Sequence, residues 1–423
     1  MKQSGGNASL TLKIACVVAD FIRWLDAFGE KSLDQQTFFG ISHGSLLESS
    51  DYSDPKTGIV TIAPVIFCEA FAPWARRWFY RPARFPVADA YYAVGFAFLY
   101  EATQNRAFIG KAIRFLERLE ETRCRDFKEY CWGYLPDKAA GKEAAKRQIP
   151  LITATAYAWE AFLKLYQLDQ DDKWLTILES IARHAVSDIK DFHTSQRGSS
   201  CSYAISQGSA VINVAANRAF LLTSAARFFS SDEYWKIAER NLNFVLENQN
   251  SDGSWYYSVH GATKLVGHYQ TCLLMKALAK IQALTGHLDC VEALSKGVNY
   301  YLANLLAPDG LPRPFSKPAT FALYQAELCD GAECIDLCLL LRGRFPTLDK
   351  TLTTLLGSIL RNWVKPDGSF RSGRRSLGWD NIPMHGWGQS QIFRGLAHYL
   401  GEAARQARTR RAIAEAAPAN RGA

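Results

Sequence analysis

The stretch Asp252-Gly253-Ser254-Trp255 returns as Asp367-Gly368-Ser369-Phe370, with a degenerate copy, Asp309-Gly310-Leu311-Pro312, between them. The Asp-Gly steps are 57 and 58 residues apart. Glycine reaches the positive-φ conformation of a tight turn without steric cost, and the aspartate can bond its own downstream backbone. Each step follows one helix-like stretch and precedes another. Before the first, Trp235, Ala238, Leu242, Val245 and Leu246 share a helical face; after its loop, Leu273, Leu274, Ala277, Leu278 and Ile281 keep the same period. The unit is therefore a helix, an Asp-Gly turn, a loop, a second helix and a short return.

Upstream, Gly198 and Gly133 lie 55 and 120 residues before Gly253, and Gly58 in Asp54-Pro55-Lys56-Thr57-Gly58 opens one more unit, which makes six. One helix pair cannot bury its apolar face alone, so neighbours must stack. Six pairs of this length predict an all-α (α/α)6 toroid, a single domain with a central cavity. No stretch shows sustained period-2 alternation, so strands are expected to be few and confined to loops. Residues 1–30 read as an N-terminal helix packing on the ring, 31–402 as the toroid, and 403–423 as a basic tail, a frayed helix running into disorder. In the return Asp169-Gln170-Asp171-Asp172, Asp171 or Asp172 is a good helix N-cap.

The 423 residues are 48% hydrophobic and 21% charged, enough for a large core and contrary to disorder. The net charge of +8 favours anionic partners, an acidic polysaccharide among them. No dense Lys/Arg cluster with interleaved aromatics precedes the C-terminus, which speaks against nucleic acid. The ten cysteines form no CxxC pair and no regular framework, as expected of buried thiols in a reducing cytoplasm. The apolar run from Ile14 to Ala19 is broken by Asp20 and Arg23, too short for a transmembrane segment. No metal or organic cofactor is indicated.

Aromatic residues make up 13% of the chain. Flat rings stack on the C–H faces of sugars, and Tyr and Trp add a hydrogen-bond donor, but the same rings also fill cores. In a toroid the long loops open at one end of the ring. There Asp252, Trp255, Tyr257, His260, His268 and Tyr269 would meet Trp132 and Tyr134. Turn chemistry for Asp252 and packing for Trp255 are the competing reading.

Glu327, Asp330, Glu333 and Asp336 step every three residues along an apolar helix. Buried charge is costly unless paired or facing a wet cavity, so these groups are either cavity acids or ion-paired. The loop from Phe370 to Gln391 carries Arg371, Arg374, Trp379, Asp380, His385, Trp387 and Gln389. Arg371 and Arg374 could fork onto a sugar carboxylate, or the loop could simply be salt-bridged. Phe244-Val245, Gln249, Gly253 and Trp255 match the structural QW motif of triterpene cyclases, and Asp169-Gln170-Asp171-Asp172 spells their DxDD. The second match lies in a polar return loop, where capping is the better reading.

The segment Asp252-Gly-Ser-Trp-Tyr-Tyr…His268-Tyr-Gln-Thr resembles bacterial polysaccharide-biosynthesis proteins of the six-hairpin glycosidase-like superfamily. So do Pro150-Leu-Ile-Thr153-Ala-Thr155-Ala-Tyr157-Ala and Pro383-Met-His385-Gly-Trp387-Gly-Gln389. The likeness runs from about residue 55 to 400. It implies an (α/α)6 ring with a place in exopolysaccharide or capsule metabolism. It leaves hydrolase, lyase and epimerase chemistry open. Where that group often carries Asp-x-His, this chain has Glu327-Leu328-Cys329, which puts catalysis through that helix in doubt.

The expectation is a cytoplasmic protein acting on an oligo- or polysaccharide, possibly acidic. Candidate acid–base groups are Glu327, Asp330, Asp252, His268, Asp380 and His385. Candidate sugar contacts are Trp132, Tyr134, Trp255, Tyr257, His260, Tyr269, Arg371, Arg374, Trp379, Trp387 and Gln389. The alternatives are a non-catalytic glycan-binding or scaffold protein working with polysaccharide-assembly partners, and a terpenoid cyclase.

Overall fold

The computed structural model describes residues 2–34, 71–79, 82–134, 149–193, 195–205, 210–259, 264–308, 310–317, 324–375 and 377–416. Within them run twelve long helices: α1 (Lys2–Phe28), α2 (Pro86–Thr103), α3 (Arg106–Glu121), α4 (Ile152–Asp169), α5 (Asp172–Ser187), α6 (Ile212–Phe229), α7 (Asp232–Glu247), α8 (His268–Thr285), α9 (Leu288–Asn304), α10 (Leu328–Leu340), α11 (Pro346–Asn362) and α12 (Ser390–Ala416).

The even-numbered helices touch in the order α2, α4, α6, α8, α10, α12 and back to α2, a closed inner ring. They are buried on most sides: α4 hides Ile152 through Trp159 without a break, the pattern of a helix packed all round. The odd-numbered helices bury a single stripe, as α3 does with Ala112, Phe115, Leu116 and Leu119. They lie outside, each against its inner partner, with α1 against α12 and α11.

Four of the five described returns from inner to outer helix are two residues long, and the one from α10 to α11 has five. Gln104, Gln170 and Ser230 adopt left-handed φ values of 59°, 57° and 54°. Asn105, Asp171 and Ser231 then cap the outer helix, accepting from the backbone N–H of Ala107, Lys173 and Tyr234. The Asp169–Asp172 tetrad is thus a capping turn. Asp169 Oδ2 accepts from the Trp174 indole at 2.9 Å, and Asp171 is exposed.

The described strands lie in the long loops at the opposite end. They are β1 (Asp191–His193) with β2 (Ser199–Cys201), β3 (Val266–Gly267) with β4 (Phe315–Lys317), and the three-stranded β5 (Tyr324–Glu327), β6 (Gly373–Arg375) and β7 (Gly378–Asp380). All pair antiparallel. The opening Asp54–Gly58 turn of the sequence repeat lies outside the described residues. Helix α12 continues to Ala416.

The Asp-Gly turns join one hairpin to the next. Gly253, Gly310 and Gly368 have φ of 89°, 79° and 89°. A Cβ on Gly253 would fall 2.4 Å from the Lys296 carbonyl oxygen on α9; on Gly310 it would meet Thr354 on α11, and on Gly368 the Asp20 backbone on α1. Each turn therefore seats against the following outer helix, and α1 takes the sixth outer place. Gly253→Ala is expected to cost about 2–4 kcal/mol, summing left-handed strain and overpacking. Gly286→Ala, at φ 73° with open space around it, should cost only about 1–2 kcal/mol. Chemical unfolding of both variants checks the difference, and equal losses would remove the contact from the explanation.

No helix among the described residues is long and apolar enough to cross a membrane.

Candidate functional site

The first turns of the inner helices and the loops feeding them form a mouth over the ring axis. Tyr269, second residue of α8, stacks against Trp387 with ring centroids 5.1 Å apart and 33° between planes. Trp387 is presented by a wide turn in which it has φ −134°, ψ 79° and the next residue, Gly388, has φ 129°, a conformation that favours glycine. Both rings are half-buried. Gln391 on α12 donates to the Tyr269 hydroxyl at 2.9 Å, and its own Oε1 is buried with no hydrogen-bond partner among the described residues. Around the mouth, the Tyr134 hydroxyl lies 2.9 Å from Thr153 Oγ1 and receives the Tyr203 hydroxyl at 3.5 Å. Tyr257 is 39% exposed.

Glu327 ends β5 and begins α10. Its Oε1 accepts from Arg375 at 3.0 Å, and the Cys329 thiol lies 3.7 Å from Oε2. Burial raises its carboxyl above the ordinary value despite the neighbouring Arg375 guanidinium. A carboxyl that keeps its proton longer than usual, on a side chain still 21% exposed, is suited to donating it. Arg371 lies over the Trp379 ring at 4.8 Å, and Arg374 on β6 is exposed.

The other expected site residues serve the framework. The Asp252 carboxylate accepts from Ser254 N and Oγ within its own turn. Trp255 and Trp132 are 3% and 0% exposed, and their indoles donate to the carbonyls of Val245 and Leu119. The two tryptophans anchor a long loop onto the end of the preceding outer helix, so neither offers a sugar platform. Gln389 is buried and braces Phe370 through both its amide atoms, the part Gln249 plays toward Gly253 and Ala293.

His268 points between helices, with Nδ1 3.0 Å from Asp330 and Nε2 2.8 Å from the Tyr301 hydroxyl on α9. Burial lowers its pKa, but Cys272 and Asp330 outweigh this and hold the imidazole well above its ordinary value. His385 is buried between the Tyr92 hydroxyl and the Gly29 carbonyl, and burial brings it down to about 4. It is neutral at pH 7. Asp380 is fully buried, clamped by Arg76 at 2.8 Å and Arg375 at 3.3 Å. His268, His385 and Asp380 are thus buried with both polar side-chain atoms on internal partners, and Asp330 is buried with one oxygen on His268. His260 lies outside the described residues.

Sequence reasoning passed over two groups. Asp34 accepts from the Gly386 N–H at 2.7 Å, and burial pushes its carboxyl up to about 7 against the pull of that bond and of Arg76. A lone Asp in a polar loop gives no signal of this. The second is a charged column down the axis. Glu333 pairs with Lys276 and with Arg394 (3.2 Å), and Asp336 pairs with Arg394 and with His398 (3.1 Å). The carboxylate stepping on α10 pointed to Glu333 and Asp336. Their cations on α8 and α12 had no local mark.

Fold and site together define a closed (α/α)6 ring with an aromatic mouth. The chain is similar in structure to the cellobiose 2-epimerase of Bacillus thermoamylovorans B4167, at 8% identity and a TM-score of 0.62 over 76% of this chain and 88% of that one. It is also similar to an unsaturated glucuronyl hydrolase specific for heparin (13%, 0.55, 77% and 89%) and to a polysaccharide lyase (11%, 0.55, 81% and 97%). No family model and no curated protein matches the sequence. At these identities the likeness shows the fold.

Proposed function

We propose that the chain acts on an oligo- or polysaccharide, acidic in character, at the long-loop mouth of the ring. The observation that carries this is the Tyr269–Trp387 pair at the first turn of α8, with the partly exposed Glu327 at the start of the neighbouring inner helix α10. Trp387 and Tyr269 stack on a sugar ring, the unpaired Gln391 Oε1 accepts from a sugar hydroxyl, and Arg371 and Arg374 attract a carboxylate on a neighbouring unit. Glu327 supplies acid–base chemistry. The solved neighbours, an epimerase, a hydrolase and a lyase by name, support carbohydrate chemistry in general. The sequence resemblance supports a role in bacterial exopolysaccharide or capsule metabolism.

A second reading, a non-catalytic glycan-binding protein of a polysaccharide-assembly system, is favoured by one observation. His268, Asp330, His385 and Asp380 are all buried against internal partners, leaving Glu327 and Asp252, the latter bonded within its own turn, as the acids among the candidates that still reach solvent. A terpenoid cyclase is disfavoured by the exposed capping role of Asp171 and the charged axis.

Purified protein is incubated with uronate-containing and neutral bacterial oligosaccharides, and both binding and product mass are read. Glu327→Gln is expected to lower turnover by about 100-fold or more, the scale of a lost general acid. Trp387→Ala should weaken binding. Product formation untouched by Glu327→Gln would sink the acid–base assignment; binding with no product leaves the glycan-binding reading.

A further inference from the structure

The ring has a second opening, at the end where the inner helices terminate in their short returns. A cavity of about 220 Å³ opens there, and residues from all six inner helices line it. Gln167 is exposed at its rim, while Tyr91, Lys276 and Arg394 are buried deep within it. The candidates for the long-loop mouth, Glu327, Tyr269 and Trp387, are not among its lining residues.

Its chemistry is specific in three respects. The charges come in balanced pairs: Lys280 with Glu160, Lys276 with Glu333, Lys164 with Glu101 at 2.6 Å, and Arg394 with Asp336. The cations therefore already have carboxylate partners, which leaves no surplus charge for an anion. Glu160 stays ionised, because Lys280 and its neighbours overcome the upward push of burial, so the lining offers ionic acceptors beside ionic donors. Aromatic faces stand between them: Phe98 stacks on His398 at 4.4 Å, and the Lys280 ammonium sits 4.7 Å from the Phe220 ring centre. Finally, Arg394 Nε is buried with no hydrogen-bond partner among the described residues. A buried donor left without a partner costs free energy, so it invites one from a ligand.

We propose that this cavity is a second ligand site and that it takes one neutral monosaccharide. A sugar hydroxyl donates and accepts at once, so it can bridge an ion pair by donating to Glu160 or Asp336 while accepting from Lys280 or Arg394. The C–H face of the ring packs on the apolar lining of Val94, Leu163 and Phe220. The volume is below the ~300 Å³ lower end of sites for drug-sized ligands, which restricts the occupant to about one ring.

Ligand-observed NMR titration and calorimetry of the full chain with glucose, mannose and galactose, and with glucuronate and inorganic phosphate as anionic probes, test this. Two variants accompany the parent: Lys280→Met, which removes a donor, and Leu163→Trp, which fills the cavity without touching a charge. Circular dichroism confirms that each is folded. At least one neutral sugar is expected to bind, with affinity falling about tenfold or more in both variants, the scale of one charge-assisted hydrogen bond. Binding of glucuronate or phosphate in place of the neutral sugars overturns the proposal, as does no binding by any probe. So does sugar binding that survives both variants, or that is lost only in Trp387→Ala; the last result puts the sugar in the long-loop mouth.

Discussion

Arg394→Met is expected to destabilise the ring by about 3–5 kcal/mol, the range for removing one partner of a buried ion pair. Arg394 serves Glu333 and Asp336, whose side chains are 0% and 7% exposed. Without it, Lys276 remains on Glu333 but stands 3.9 Å from Asp336, which keeps His398 at 3.1 Å as its near partner, and a carboxylate so weakly compensated in the core bears much of its desolvation cost. Neutralising the stranded acid as well, in Arg394→Met with Asp336→Asn, should recover part of the loss, since removing both charges is far milder than removing one. The pH dependence gives a second readout. Burial pushes the Asp336 carboxyl up, but Arg394, His398 and Lys276 hold it well below the ordinary carboxylate range. A depressed carboxyl contributes stability above the unfolded value of about 3.9, and that contribution is lost as the pH falls below it. Removing Arg394 lets the folded value rise, so the acid limb of the stability profile moves to higher pH. Urea unfolding across pH 3–7 measures both effects. A loss under about 1 kcal/mol with an unmoved acid limb would mean that water, not Arg394, compensates these acids.

The ring was legible in its glycines because two demands coincide there. Gly253 and Gly368 need a positive φ, and each also lies against the backbone of the next outer helix. Only glycine meets both, so the letter recurs at the period of the fold. The mouth was legible in part. Tyr269 and Trp387 follow from the rule that long loops gather at one end of a toroid, but Trp255 and Trp132 occupy equivalent loops and turn inward instead. The Gln249 and Trp255 pairing was the available signal, since in the QW pattern those residues brace a turn. The acids on α10 show where reading ends. Three-residue steps sweep around a helix, so Glu327 meets Arg375 at its start, Asp330 turns aside to His268, and Glu333 and Asp336 meet the cations of α8 and α12. Lys276, Lys280 and Glu160 look like ordinary solvated helix charges until ring closure brings them together across 57 to 120 residues of chain.

The division between framework and mouth tryptophans predicts opposite consequences for one substitution. Trp132→Ala should cost about 3–5 kcal/mol, as expected for emptying a buried aromatic position. The ring is fully buried, lies 5.8 Å from Phe162 on α4, and donates to the Leu119 carbonyl in the last turn of α3. Its backbone N–H reaches Thr155 Oγ1, and its carbonyl accepts from Leu151, so the residue ties one hairpin to the next. Trp132→Phe keeps most of the volume and loses only the indole N–H. Leu119 also accepts from Thr122, so its carbonyl is not orphaned, and the cost should be about 1 kcal/mol. Trp387 is half-buried, and its stacking partner is Tyr269 at the mouth. Trp387→Ala should therefore leave stability within about 1.5 kcal/mol, the upper value of an aromatic pair, while weakening oligosaccharide binding. Thermal melts and glycan titrations of the three variants separate the roles. If Trp132→Ala melts like the parent and loses sugar, or Trp387→Ala unfolds with binding intact in the folded fraction, the mouth has been placed on the wrong tryptophan.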